Sequence, residues 1–208
     1  MRSADDYNNQ AVNLTGFGKF KEALNALDRA IDIRSEFPEA WYNKGIALGM
    51  QQKFAEAIEA FDKATELKPD FLEAINCKGI ALSSMGKFHD ALEVYGKALD
   101  IKPKDPNAII GQAMAHGELG SPEKAIELLD SVLADDPKNI DALFNKGIAL
   151  SATGRDEEAL ALYEQMNEDT PKFPNAWFNK AAVLRKLERN AEAMEADNEF
   201  RRLIQQNP

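Results

Sequence analysis

The chain has 208 residues, 44% of them hydrophobic, and its 25 Lys and Arg stand against 35 Asp and Glu for a net charge of −10. That length and composition fit one elongated domain with a sizeable core, and the acidic balance argues against nucleic acid, which needs Lys and Arg clustered on one face. No apolar run approaches the roughly 20 residues of a membrane span, and the polar start MRSADDYNNQ carries no secretory stretch, so a cytoplasmic location is expected.

The first predicted helix begins at Ala4, with Ser3 and Asp6 placed to cap it. A turn at GFGK, residues 16–19, leads to a second helix carrying Ala23 and Leu27. The same order then recurs every 34 residues, from Pro38, Leu72, Pro106, Ile140 and Pro174. Within this register the fourth position reads Tyr7, Trp41, Ile75, Ile109, Leu143 and Trp177. The eighth is always small, as Ala11, Gly45, Gly79, Ala113, Gly147 and Ala181, and the twentieth is always alanine, from Ala23 to Ala193. Positions 4, 8 and 11 share one face of the first helix, and 20, 24 and 27 one face of the second. The small residues let the two helices approach. Gly18, Gly86, Gly120 and Gly154 mark the turn between them, Ser121 and Pro122 are expected to cap and open a second helix, and Pro69, Pro103, Pro137 and Pro171 stop the unit.

On these positions the chain resembles the tetratricopeptide repeat family, in a form that looks prokaryotic. The resemblance implies an all-α fold, a right-handed α-α superhelix (a solenoid) of about twelve antiparallel helices. It covers a single expected domain, 4–207, in repeats 4–37, 38–71, 72–105, 106–139, 140–173 and 174–207. One such unit cannot bury its apolar face alone, so stability is expected to come from neighbour contacts.

Counted by repeat, the charges are −2, −2, 0, −4, −4 and +1, and the excess acid of repeats four and five is read as a solvated outer surface. The sequence offers no chemistry beyond this. His89 and His116 lie in different repeats, and no phosphate loop, nucleophile elbow or metal-ligand spacing is present. His116 replaces the leucine found at position 11 elsewhere and reads as a core histidine, while the lone Cys77 excludes an internal disulfide. The expectation is therefore a non-catalytic protein with no cofactor and no metal.

In the family that the chain resembles, ligands meet positions 2, 5, 6, 9, 12 and 13 of the first helices, which line the concave face. Position 5 carries Tyr42, Ile110, Phe144 and Phe178, and position 9 carries Ile46, Ile80, Met114 and Ile148. These eight are expected either to line an apolar channel for a partner segment or to pack neighbouring first helices together. Position 6 carries Asn9, Asn43, Asn145 and Asn179, interrupted by Cys77 and Gly111; the row is similar to the asparagine ladder with which some members hold a peptide backbone. A carboxylate clamp is disfavoured, because position 2 is acidic in four repeats and position 5 has no lysine.

The expected partner is a protein or peptide, bound as an extended segment or a helix, with no nucleic acid and no membrane. Two alternatives remain. The tail residues Phe200, Leu203 and Ile204 have no following repeat to cover them, so a homodimer through the C-terminal helix is one. A targeting module of a larger enzyme is the other. Val132 and Met166, bulkier than the alanine of the first three repeats at position 27, are expected to loosen the junctions that follow them.

Overall fold

The computed structural model describes residues 2–206. Within them lie twelve helices and no strand. The first helices are α1 (Ala4–Gly16), α3 (Pro38–Gly49), α5 (Leu72–Ser84), α7 (Pro106–Glu118), α9 (Ile140–Ala152) and α11 (Pro174–Lys186). Their partners are α2 (Phe20–Ile33), α4 (Phe54–Leu67), α6 (Phe88–Ile101), α8 (Pro122–Asp135), α10 (Asp156–Asp169) and α12 (Asn190–Gln206). First helices begin 34 residues apart, as the register requires, whereas Asn207 of the expected last repeat lies outside the described residues.

The local causes are legible at the helix ends. Ser3 caps α1 in a full capping box, its hydroxyl accepting from Asp6 N while the Asp6 carboxylate accepts from Ser3 N at 2.9 Å. At α8 the expected cap is absent: Ser121 makes no side-chain bond to the helix, and only Pro122 marks its start. The turn between paired helices needs a left-handed residue, and Gly18, Gly86, Gly120 and Gly154 supply it at φ 72–77°. Gln52 and Glu188 hold φ 60° at the same position without glycine's freedom.

The residues group into two compact units, Met1–Gly111 and Gln112–Pro208. In the first, α1 packs on α2, α3 on α4 and α5 on α6, while α3 also touches the first helices α1 and α5. Its core is alanine at positions 20 and 27 with Leu27, Phe61 and Tyr95 at position 24, all essentially closed to solvent. Each aromatic ring fills the space over a glycine on its partner helix: a Cβ on Gly79 would stand 2.5 Å from the Tyr95 ring. In the second unit α9 packs on α8 and α10, and α11 on α10 and α12. Tyr163 repeats the device over Gly147, where a Cβ would lie 2.6 Å from the ring.

Ion pairs tie successive repeats at one register. Lys44 reaches Asp28 at 2.7 Å, Lys78 pairs with Asp62, Lys146 with Asp130, and Lys180 with Glu164 at 3.2 Å. Each joins position 7 of a first helix to position 25 of the preceding second helix. The lysines are the more covered partners, so these pairs fix the angle of approach more than they add stability.

Candidate binding surface

Positions 2 and 9 differ by seven residues, almost two full turns, and so lie on one side of a first helix. Position 9 is the open row. In the first unit Val12 is 48% and Ile80 58% exposed, with Ile46 half-buried between them in sequence. In the second unit Met114 is 51% and Ile148 45% exposed. Ile46 packs against the core of the second repeat, whereas Val12, Ile80, Met114 and Ile148 turn large apolar side chains to water at the same register.

Position 5 behaves differently. Tyr42 is half-buried, its ring 5.1 Å from Phe71 and 6.1 Å from Phe61. Phe144 does the same with Phe173 at 5.4 Å and Tyr163 at 6.3 Å. In the third repeat Asn76 donates to Asp105 at 2.8 Å, both buried, and Asp105 also accepts from Ala108 N at 3.1 Å to start α7. Ile110, expected on an open channel, is only 7% exposed. In the second, third and fifth repeats the cause is the same: position 34, in the loop that closes the repeat, folds back against position 5. Phe178 departs from this, 53% exposed with its ring 5.3 Å from Phe200.

The asparagines of position 6 are mostly engaged within the chain. Asn43 donates to Asn8 at 2.9 Å, Asn145 to the carbonyl of Asp141 at 2.8 Å, and Asn179 hydrogen-bonds the Tyr163 hydroxyl. Of the four, Asn9 is exposed and the others half-buried. Cys77, in the same row, bonds Tyr42; burial pushes its thiol up, and burial likewise pushes the Tyr42 phenol up to about 12. A thiol held protonated in this way is a weak nucleophile at neutral pH. His116 is half-buried on α7.

The tail is better covered than expected. Leu203 is 2% exposed and Phe200 is half-buried against Phe178, so of the three residues only Ile204, at 46%, stays open. The covering residues belong to α11 and to α12 itself, whose 17 residues make it the longest helix described. Among the described residues no three of His, Cys, Asp and Glu are placed to hold a metal ion, and no helix is long and apolar enough to cross a membrane.

Models of the tetratricopeptide repeat match residues 82–138, 118–187 and 38–71, and a further repeat model of the same kind matches 18–52. No curated protein sequence matches the chain. Among solved structures, a tetratricopeptide repeat protein of Parabacteroides merdae superposes with a TM-score of 0.77 at 17% identity, covering 93% of this chain and 77% of its own. A thermophilic repeat protein of Thermus thermophilus gives 0.74 at 21% identity, over 88% and 99%. YrrB, described as having an unusual peptide-binding site, gives 0.62 at 23% identity, over 84% and 90%.

Proposed function

The chain belongs to the tetratricopeptide repeat family, whose repeats serve as protein–protein interaction modules, and from that premise we propose that it binds a protein segment along the exposed faces of its first helices. One observation carries the reading: the open aliphatic row at position 9, Val12 and Ile80 in the first unit, Met114 and Ile148 in the second. Exposed apolar side chains repeated at one register form a surface that gains free energy when covered, at about 25 cal/mol for each Å² removed from water. Phe178 is a further exposed apolar side chain in the second unit, and Asn9 an exposed amide in the first. Tyr42, Phe144 and Ile110 are packed within the chain, and Asn43, Asn145 and Asn179 hydrogen-bond within it, so they are read as scaffold and not as contact residues.

No chemistry is assigned to this surface. Its side chains are apolar or amide, and the thiol of Cys77 nearby in sequence is held in the protonated form by burial. The reading is tested by serine substitutions at Ile80 with Val12 and, separately, at Ile148 with Met114. Partner capture should fall while helicity is unchanged, since these side chains are about half solvated already. Assembly through the C-terminal helix is a weaker reading, because Leu203 and Phe200 are covered within the chain.

A further inference from the structure

Among the described residues few buried polar atoms lack a partner, and Asn167 on α10 stands apart. It is 7% exposed, and both its Oδ1 and its Nδ2 are closed to solvent without a hydrogen-bond partner. Asn76, the other asparagine with an unpaired buried atom, still donates to Asp105. An amide removed from water with neither group bonded loses its hydration and gains nothing in return.

The register says what this residue separates. Asn167 takes the place of Ile31 and Leu99, which pack into clusters that include Ala40 and Ala108, in the first turn of the next first helix. Thr65, the polar residue at the equivalent place in the second repeat, bonds its hydroxyl to Phe61 O at 3.1 Å and Asp62 O at 3.0 Å, so that seam carries no unpaired group. The preceding residue compounds the difference: Met166 stands where Ala30, Ala64 and Ala98 allow close approach. The hairpin beyond the seam also departs from the earlier repeats, with a left-handed Glu188 in its turn and Asp197, paired with Arg185, where they put leucine or an aromatic ring.

We infer that α11 and α12 form a detachable hairpin, which opens from α10 as a unit well before the rest of the described residues unfold because opening returns the Asn167 amide to water. The hairpin holds together internally through Phe178 on Phe200 and Arg185 with Asp197, so it separates as a piece instead of fraying residue by residue. Few polar bonds span the seam or reach past it: Asn179 to the buried Tyr163 hydroxyl, the half-covered Lys180 to Glu164, and Lys186 to the Ser151 hydroxyl at 2.7 Å, an exposed bond that water replaces readily. Opening exposes the closed Tyr163 and Met166 side chains of α10.

Native-state hydrogen exchange on the full chain tests this. Amides of α11 and α12 should exchange together, about tenfold or more faster than those of α9 and α10, and also faster than those of the other terminal hairpin, α1 and α2. Asn167→Leu, which restores the side chain found at Leu99 and Leu133, should slow that exchange about tenfold. Ile31→Asn, which moves the same defect to the α2–α3 seam, should speed exchange in α1 and α2 by a similar factor. The inference is overturned if α11 and α12 exchange no faster than α1 and α2 in the unaltered chain, or if Asn167→Leu leaves their exchange unchanged or faster.

Discussion

Asn76 Nδ2 donates to Asp105 Oδ2 at 2.8 Å, and this buried polar pair occupies the place where the second repeat sets Tyr42 on Phe71 and the fifth sets Phe144 on Phe173. Two unlike chemistries thus solve one problem, closing the loop of a repeat over its first helix. Burial alone would raise the Asp105 carboxyl, but bonds from Lys102, Asn76 and the Ala108 amide together hold it below its ordinary value. Asp105→Ala should cost about 1–3 kcal/mol, because it removes the cap of α7 and strands the Asn76 amide. In a double-mutant cycle, Asn76→Tyr with Asp105→Phe should be less harmful than the sum of the single changes, with a coupling of about 0.5–3 kcal/mol. Urea unfolding of the four proteins measures it.

The same pair sets an acid limit. A carboxyl depressed by folding contributes stability that is complete above its unfolded value and is lost as the pH falls through that region toward the folded value. The tyrosines set the alkaline limit with the opposite sign. Burial pushes Tyr42, Tyr95 and Tyr163 each up to about 12, against 10.0 when exposed, so the stability that they contribute is complete below pH 10 and is lost between pH 10 and about 12. Thermal melts across that range should fall steeply. Tyr163→Phe, which removes one ionising group, should flatten the fall.

Gln52 and Glu188 hold a backbone geometry that the other four repeats give to glycine. Gln52→Gly and Glu188→Gly should each stabilise by about 0.5–1 kcal/mol, the left-handed strain relieved less the added freedom of glycine in the unfolded chain. Chemical denaturation midpoints check the direction, and a fall in either would contradict the strain.

At position 8 the effect reverses. Gly147 has no room for a methyl group beside the Tyr163 ring, so Gly147→Ala should destabilise by about 1–3 kcal/mol. Substituting Gly147→Ala together with Tyr163→Leu, the residue type at Leu27 and Leu129, should recover most of that loss.

These residues also mark what the sequence could and could not convey. Helix starts, turn glycines and the small residue beneath each position-24 side chain follow from a single helical wheel and a fixed period, and the helices begin where the period puts them. The candidate surface needed more. Tyr42 and Phe144 looked open because a wheel takes no account of a loop, and it is the loop residue at position 34, Phe71 or Phe173, that packs on each. Asn43 looked free because its partner, Asn8, lies one repeat earlier. The link from Lys44 to Asp28 was legible in principle, as lysine at position 7 and an acid at position 25 recur together, but its meaning depends on which helices meet. At position 9 Val12, Ile80, Met114 and Ile148 are exposed, whereas Ile46 packs against the core of its repeat, a difference that the wheel does not show.

The most direct test of the account is affinity capture from native lysate with the unaltered chain and two variants, Val12→Ser with Ile80→Ser and Met114→Ser with Ile148→Ser, each matched for circular dichroism and melting temperature. The account predicts that a defined protein retained by the unaltered chain is lost, by about tenfold or more, from at least one variant of unchanged helicity. Equal retention by both folded variants would contradict it.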